Sequence, residues 1–295
     1  MASGLVTLRN GVKMPRLGLG TWQLRDKTCY NSVCSALKVG YQLIDTASSY
    51  QNQSFVGKAL KEAECKPPAF LFETANKNNV FVTTKVSFSE MGYEKAYANV
   101  IHSLELLGMD SIDLVLLHFP GSSGIDASSS EHRHIRRESW RALEKLYEEK
   151  RIRAIGVSNY HVHHLNQLLE DKVDVVPMVN QLEFHPFLQY KELEEWAVTH
   201  SMFLQSYSTL GTGSIDLLEH PTISAIAKEI GSTTAQTILR WALYRNYLII
   251  PRSSNVKRIE ENFHCTDFSL SESQIAKISD LENGKRFCWD PSKIA

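Results

Sequence analysis

Short and nearly uninterrupted apolar runs recur at regular intervals along the chain. Eight of these runs are rich in residues that favour β-structure: Leu17–Trp22, Tyr41–Ala47, Val80–Val86, Ile112–Pro120, Ala154–Tyr160, Met178–Phe184, Phe203–Leu210 and Tyr247–Ser253. Polar residues do not alternate strictly with apolar ones in these runs, which is typical of parallel strands buried on both faces. The pattern therefore predicts eight buried parallel strands.

The intervals between the runs carry apolar residues at helical spacing. The predicted helices are Lys27–Gly40, Gln53–Glu64, Tyr93–Gly108, Arg137–Arg151, His161–Asp171, Lys191–His200 and Thr234–Asn246. Strands that alternate with helices pair in parallel through right-handed crossovers. Eight such units favour closure over an open sheet, so we predict an α/β fold, a single (β/α)8 TIM barrel that takes up residues 1–295 as one domain.

Three further segments add to the predicted barrel. Val6–Met14 contains Asn10 and Gly11 between two short alternating runs, which predicts a hairpin with positive φ at both turn residues, capping the barrel bottom. The Gly- and Ser-rich stretch Phe119–Ile135 predicts a long connection after the fourth strand. Leu270–Glu282 predicts an extra C-terminal helix.

The bulk composition is that of a globular protein, with 43% hydrophobic and 22% charged residues. A net charge of −1 gives no general attraction for nucleic acid or anionic lipid. No apolar run approaches the roughly 20 residues that cross a bilayer, and the first residues do not resemble a signal peptide. The five cysteines have no zinc-type or redox spacing. We therefore expect a cytoplasmic monomer with reduced thiols and no metal, nucleic-acid or membrane partner.

Four polar residues interrupt or follow the apolar runs at the carboxyl ends of neighbouring strands. Asp45 and Tyr50 follow the second run, Lys85 lies in the third, and His118 ends the fourth. The chemistry of (β/α)8 barrels takes place at this end, so we expect all four side chains at one rim. A plain interpretation is an Asp45–Lys85 salt bridge with the two rings as packing. Four such residues at consecutive strand ends favour a shared functional site over this plain interpretation.

The functional interpretation assigns a proton transfer to this group. A tyrosine side chain has a pKa of about 10 and is a poor acid at neutral pH. An adjacent Lys85 ammonium, held by Asp45, stabilises the phenolate and lowers the pKa of Tyr50. Tyr50 then donates its proton to a carbonyl oxygen, which His118 orients by hydrogen bonding, while a hydride arrives at the carbon.

These segments resemble the aldo-keto reductase family. The similar stretches are Leu17–Trp22, Asp45–Tyr50, the Lys85 strand and Leu117–Pro120, in family order and spacing, within a resemblance that extends from the hairpin to about Phe268. The resemblance implies NADPH-dependent reduction of aldehydes and ketones to alcohols, with Tyr50 as proton donor, Lys85 and Asp45 tuning it, and His118 orienting the substrate. The nearest members are short-tailed ones that resemble aldose reductase, prostaglandin F synthase or glyoxal reductase.

The resemblance also implies an NADPH/NADP+ cleft across the barrel mouth. Its nicotinamide end comprises Thr21, Asp45, Ser158, Asn159, Gln181 and the stacking ring of Tyr207. The pyrophosphate loop comprises Ser208, Thr209, Leu210 and Gly211, where Thr209 replaces the usual proline and loosens the loop. The 2′-phosphate and adenine end comprises Arg252, Ser253, Ser254, Asn255, Arg258, Glu261 and Asn262. Lysine is commoner at the Arg252 position.

The predicted substrate pocket is lined by Trp22, His118, Phe119 and Trp289. Many family members carry tryptophan where this chain has Ser87, which opens one wall beside Phe88. Two histidine-rich stretches, Glu131–His134 and His161–His164, suggest metal binding, but they lack a ligand set at suitable spacing, so we interpret both as solvated surface.

Two other functional classes remain open at this stage. A cofactor-sensing or lens-type structural protein could use the same fold, because fold does not fix function. An unrelated barrel hydrolase with Asp45 as its carboxylate would need a second carboxylate, for which only Glu183 lies at a strand end. Consumption of NADPH with an aldehyde separates the enzyme from the sensor, and failure to bind any nicotinamide nucleotide would favour the hydrolase.

Overall fold

The computed structural model describes residues 4–64 and 80–295. Cys65, one of the five cysteines counted above, lies outside these residues. The strands are β1 Leu5–Thr7, β2 Lys13–Pro15, β3 Leu19–Gly20, β4 Leu43–Asp45, β5 Phe81–Val86, β6 Leu114–Leu117, β7 Ile155–Ser158, β8 Val179–Glu183, β9 Phe203–Tyr207 and β10 Leu248–Ile249. All eight predicted barrel strands are present, each shorter than its apolar run.

Strands β3 to β10 form one parallel sheet in sequential order. The first and last strands meet, because Gly18 N donates to Ile249 O at 2.9 Å and Ile249 N donates to Arg16 O at 2.8 Å. The sheet is therefore closed, and the predicted (β/α)8 barrel is confirmed.

The helices are α1 Asp26–Val39, α2 Gln53–Glu64, α3 Tyr93–Leu107, α4 Glu131–Glu148, α5 Val162–Glu170, α6 Lys191–Thr199, α7 Ile215–Leu218, α8 Pro221–Ile230, α9 Thr234–Tyr244, α10 Val256–Phe263 and α11 Glu272–Ser279. The seven predicted crossover helices and the extra C-terminal helix are confirmed. Helices α7 and α8 were not predicted, although Pro221 begins α8 and Gly231 ends it in the left-handed conformation, as helix signals require. Within the described residues no helix is long and apolar enough to cross a membrane.

Helix α4 begins at Glu131 rather than at Arg137, so the long connection after β6 ends earlier than predicted. The first turns of α4 bury His132 and Arg136, both polar, which removes them from the apolar periodicity used for the prediction. Buried polar residues require hydrogen bonds, and Arg136 Nη1 donates to Pro120 O at 2.9 Å. The helix start is thus fixed by polar contacts to the loop before it.

The predicted hairpin caps the bottom of the barrel. Its apolar residues Val6, Leu8 and Met14 join a buried cluster that includes Leu43 and Phe81 at the starts of barrel strands. Gly11 alone has a positive φ, 86°, so the prediction of two such turn residues is wrong for Asn10. The strands end earlier than assumed, and a longer turn, closed by the Leu8–Val12 hydrogen bond, requires one left-handed residue.

Gly156 on β7 packs closely against residues of the neighbouring strands β6 and β8. An added Cβ atom would lie 2.4 Å from the Val179 carbonyl oxygen and 2.8 Å from a Leu116 methyl group. A ladder carbonyl cannot move aside, so we expect Gly156→Ala to lower the free energy of unfolding by about 1–3 kcal/mol. Urea unfolding measures this effect. Gly4→Ala, with nothing within 4 Å of its Cβ, is the control, and equal stability of both variants would contradict the packing argument.

Candidate active site

The four predicted catalytic side chains meet at the carboxyl end of the barrel. Asp45 ends β4, Lys85 lies near the end of β5, and Tyr50 ends a short 3-10 turn, Ser48–Tyr50, that follows β4. The Lys85 ammonium donates to Asp45 Oδ1 at 2.6 Å, to Thr46 O at 2.9 Å and to Tyr50 Oη at 3.2 Å. The expected juxtaposition of lysine and phenol is therefore present.

The second oxygen of Asp45 is held from the opposite side of the barrel. Gln181 Nε2 on β8 donates to Asp45 Oδ2 at 2.7 Å and to Gln205 Oε1 on β9 at 2.8 Å. Lys85 is 0% exposed and Asp45 is 2% exposed, so the ion pair is fully desolvated. Gln205 was not predicted from the sequence. Its signal was an amide side chain at a buried position of β9, next to Ser206.

Burial dominates the protonation equilibria at this site. It raises the pKa of Asp45 and lowers that of Lys85, and the attraction within the pair opposes both shifts. The pKa of Tyr50 lies well above 10, first because the phenol is desolvated and then because of the Asp45 carboxylate. Burial, and after it the Asp45 charge, therefore outweigh the lowering of the Tyr50 pKa that was expected from Lys85. The phenol keeps its proton at neutral pH.

His118 follows β6 and faces Tyr50. The two ring centroids are 5.6 Å apart at an interplanar angle of 68°, and Ser49 Oγ lies 3.4 Å from His118 Nδ1. Burial and the nearby Lys85 charge lower the pKa of His118 to about 3, so the imidazole is neutral at physiological pH. Asn159 Nδ2 donates to His118 O at 2.9 Å and fixes the backbone of this residue.

The residues predicted for the nicotinamide end lie together beside this group. Tyr207 Oη at the end of β9 donates to Asn159 Oδ1 at 2.7 Å. Ser158 Oγ donates to Gln181 O, and Thr21 Oγ1 donates to Asp45 O, both at 2.8 Å. Asn159 has a φ of 67°, a left-handed conformation, and its amide contacts His118 O and Tyr207 Oη. These hydrogen bonds link the ends of β7, β8 and β9 and, separately, those of β3 and β4.

The segment predicted as the pyrophosphate loop turns sharply after β9. Ser208 and Gly211 both have positive φ, 49° and 58°, and Gly211 N donates to Ser208 O at 2.8 Å. Thr209 is buried, and its hydroxyl oxygen lies 2.6 Å from Ser206 Oγ. Thr209 was expected to make the loop less rigid than proline, which restricts φ, would. The hydrogen bond between the Thr209 and Ser206 hydroxyls offsets this loss of rigidity.

The predicted phosphate site lies at the start of α10. Asn255 caps this helix by accepting from Arg258 N at 3.2 Å, and Ser253 Oγ accepts from Asn255 N at 3.1 Å. The Arg258 guanidinium is exposed and has no hydrogen-bond or ion-pair partner in residues 4–64 and 80–295. Further along, Glu261 Oε1 accepts from Thr233 Oγ1 at 2.8 Å. Asn262 is buried and Ser254 is exposed. A cation thus stands free beside a capped helix start.

Arg252 is placed differently from this prediction. Its Nε donates to Trp22 O at 3.0 Å and its Nη2 donates to Gln23 Oε1 at 3.2 Å. The side chain therefore ties the end of β10 to the connection after β3. The sequence places Arg252 and Arg258 near each other, but it cannot show that Arg252 already hydrogen-bonds other parts of the protein.

The residues predicted to line the substrate pocket are exposed or half-buried. The rings of Trp22 and Trp289 contact each other edge to face, with centroids 5.9 Å apart. Phe119 is half-buried, whereas Phe88 is exposed. Ser87 is buried, with its hydroxyl 3.0 Å from Ser89 Oγ. Trp22 and Trp289 therefore form an aromatic pair, and Ser87 and Ser89 form a separate polar segment.

The interpretation of the two histidine stretches as solvated surface is wrong for two of their members. His164 is fully buried, exchanges capping hydrogen bonds with His161, and has Nε2 2.8 Å from Ile294 O. His132 is also buried, and its Nδ1 accepts from Ser122 N at 3.1 Å. Both rings bind backbone outside their helices, His164 near the C-terminus and His132 in the preceding loop, which periodicity does not show. Among the described residues there is no group of three potential metal ligands.

Comparison with known proteins adds to this geometry. A profile of the Aldo/keto reductase family matches residues 16–283. A 9,11-endoperoxide prostaglandin H2 reductase of Trypanosoma cruzi is 40% identical over 98% of this chain and 95% of its own length. A glyoxal reductase of Bacillus subtilis is 39% identical over 98% and 96%. A methylglyoxal reductase of Escherichia coli is 35% identical over 98% of both chains.

Solved structures agree with these similarities. The aldo-keto reductase MGS-M4, from a Medee basin deep-sea metagenome library, has a TM-score of 0.86 and 36% identity over 99% of both chains. A mutant of Gox0644 in complex with NADPH has a TM-score of 0.86 and 31% identity over 99% of this chain and 98% of its own. The family match spans the whole barrel, from Arg16 before the first barrel strand to Asn283 beyond the last helix. The chain belongs to the aldo/keto reductase family.

Proposed function

We propose that this protein reduces aldehydes and reactive ketones to alcohols with NADPH, and that Tyr50 donates the proton. The observation that carries the proposal is the buried hydrogen-bond chain from Asp45 through Lys85 to Tyr50, beside a neutral His118. The reductase relatives and the NADPH complex of a neighbour support the same chemistry. Glyoxal-type dicarbonyls, the substrates that two relatives' names indicate, are the first substrates to test.

The residues at the barrel mouth fit a nicotinamide dinucleotide. The free Arg258 guanidinium beside the Asn255-capped helix start suits the 2′-phosphate, because arginine binds phosphate through two parallel hydrogen bonds. The Asn159 amide lies beside the Tyr207 hydroxyl, where it suits the nicotinamide carboxamide, whereas the Gln181 amide donates to Asp45 and Gln205. When bound, NADPH supplies the hydride that reduces the carbonyl carbon.

The protein's own groups then act on the carbonyl oxygen. His118 carries its proton on Nε2 when Ser49 donates to Nδ1, so the neutral ring donates a hydrogen bond that orients the carbonyl. Tyr50 gives its proton to this oxygen as negative charge develops there. The Lys85 hydrogen bond stabilises the resulting phenolate, and Asp45 keeps Lys85 charged in a buried place.

A panel of carbonyl compounds tests this function directly. Purified enzyme is incubated with methylglyoxal, glyoxal, an aromatic aldehyde and a simple ketone, each with NADPH and with NADH. We expect NADPH consumption with the aldehydes and dicarbonyls, and formation of the corresponding alcohol. Binding of NADPH without turnover of any member would overturn the assignment in favour of a cofactor-sensing protein.

Removal of the free cation at α10 tests the cofactor preference. We expect Arg258→Ala to weaken NADPH binding by about 10- to 100-fold, which is the range for one charge-assisted contact, and to change NADH binding little. Quenching of protein fluorescence measures both dissociation constants. Lys257→Ala removes an adjacent positive charge on the same helix and serves as the control. Equal losses for the two nucleotides would show that Arg258 does not contact the extra phosphate.

We also propose that the enzyme is a single-domain monomer in the cytoplasm. Four cysteines of the described residues, Cys29, Cys34, Cys265 and Cys288, are free thiols, which supports a reducing compartment. Size-exclusion chromatography with light scattering tests the monomer.

A further inference from the structure

Glu183 is a buried carboxylate that the proton-transfer chain does not use. It ends β8 and is 1% exposed. Its Oε1 accepts from Phe287 N at 2.6 Å, and its Oε2 accepts from Cys288 N at 3.3 Å. His185 Nε2 lies 3.1 Å from Oε1 and donates to it, since a carboxylate oxygen only accepts. A buried charge is tolerated only when it is hydrogen-bonded in this way, so the carboxylate binds the backbone of a remote segment.

That segment is residues Asn283–Asp290, which we call the C-terminal strap. The strap contacts the predicted pyrophosphate loop at two points. A Cβ atom added to Gly211 would lie 2.9 Å from the Phe287 ring, so the ring packs directly on this glycine. The Sγ of Cys288 lies 3.3 Å from Ser208 Oγ. The two strap residues that bind Glu183 are therefore the same two that contact the loop.

The next strap residue reaches the predicted substrate pocket. Trp289 directly follows the anchored Cys288 and packs edge to face on Trp22. Trp289 is 62% exposed, so its position depends on the backbone on both sides, which Glu183 anchors before it and the buried Pro291 anchors after it. Arg286 adds a hydrogen bond from Nη1 to Tyr190 Oη at 2.9 Å on the other side of the anchor. One carboxylate thus fixes a segment that touches both the loop and the pocket wall.

We propose that Glu183 is a positioning residue that holds the C-terminal strap over the barrel mouth, which fixes Trp289 in the substrate wall and Phe287 on the loop. The inference deepens the proposed carbonyl reduction and rests on it. Loss of the anchor frees Trp289, so large aromatic substrates lose a wall that small dicarbonyls do not need. Loss of the Glu183 anchor therefore raises KM for aromatic aldehydes, whereas kcat for methylglyoxal stays at the wild-type value.

The variant Glu183→Gln tests the anchor, because its amide keeps the shape but presents an N–H group to one of the two backbone donors. Trypsin cleavage after Lys285 or Arg286 reports strap release without substrate or cofactor. We expect this cleavage, located by mass spectrometry, to be faster by about tenfold, and KM for an aromatic aldehyde to rise by a similar factor. Asp216→Asn is the matched control. It removes an exposed carboxylate that pairs with Lys285 of the strap, and both readouts should stay at the wild-type value.

A double-mutant cycle with Trp289→Ala separates the strap from other effects of Glu183. If Glu183 acts through Trp289, the double variant raises KM for the aromatic aldehyde no further than either single variant. Additive effects, or unchanged cleavage and KM in Glu183→Gln, would overturn the proposal. If Glu183→Gln does not fold, Glu183→Asp retains the charge on a shorter side chain, and wild-type values of both readouts would again overturn it. If the wild type reduced no carbonyl compound, the proposed function would be wrong. The rates of trypsin cleavage in the wild type and in Glu183→Gln would still show whether Glu183 anchors the strap.

Discussion

Replacement of Tyr50 by phenylalanine is expected to lower kcat for aldehyde reduction by about 100- to 10,000-fold, the usual range for removal of a general acid. The phenol accepts a hydrogen bond from the Lys85 ammonium, and its pKa, held well above 10, keeps the proton available until the carbonyl oxygen gains charge. The change removes one oxygen atom and leaves the ring against His118. Steady-state kinetics with NADPH and an aromatic aldehyde measure the loss.

The dissociation constant of NADPH should remain within about twofold in the same variant, because the hydroxyl is not part of the proposed cofactor cleft. Tyr97→Phe removes a hydroxyl that is hydrogen-bonded to Glu149 at 2.8 Å on the surface, and it should leave kcat unchanged. A Tyr50→Phe enzyme with wild-type kcat would assign the proton transfer to another group.

Replacement of Lys85 by methionine is expected to affect stability as well as turnover. It leaves the buried Asp45 carboxylate without its cation, and breaking one side of a buried ion pair costs about 3–5 kcal/mol of unfolding free energy. The Asp45 carboxyl then binds a proton more tightly in the folded chain than in the unfolded one. The unfolding free energy of the variant therefore decreases as pH rises above about 4, the pKa of an unfolded aspartate. Urea unfolding across this pH range measures the effect.

The double variant Lys85→Met with Asp45→Asn is the control for this result. It removes both charges, so we expect much of the lost stability to return while turnover stays low, because no ammonium faces Tyr50. If Lys85→Met alone were as stable as the wild type at neutral pH, the carboxylate would not carry a buried charge. In that case Asp45 could not be the group that keeps the buried Lys85 side chain charged.

The sequence predicted the barrel well because its strands are buried on both faces and appear as continuous apolar runs. The strands were predicted too long, since apolar residues such as Trp22 follow β3, which ends at Gly20. The start of α4 was missed because His132 and Arg136 are buried through hydrogen bonds rather than apolar contacts. Periodicity detects apolar burial and has no signal for polar burial.

The candidate site was predictable where it depended on strand ends. Asp45, Lys85 and His118 follow parallel strands, and adjacent parallel strands bring their carboxyl ends together. The direction of the Tyr50 pKa shift was not predictable, because it depends on desolvation, which only the packed structure defines. The contacts of Glu183 were not predictable either, since its partners lie more than a hundred residues away on the strap.

The three donors of the Lys85 ammonium have one further consequence. An ammonium group has three N–H bonds, and here they go to Asp45, Thr46 and Tyr50. Lys85 therefore has no hydrogen left with which to touch an incoming molecule, and it acts only through the phenol. In the proposed mechanism Tyr50 and His118 remain to face that molecule, which matches the two lone pairs of a single sp² oxygen. Under this proposal two donors suit an aldehyde or ketone better than a phosphate or carboxylate, whose additional charged oxygens would stay unsatisfied.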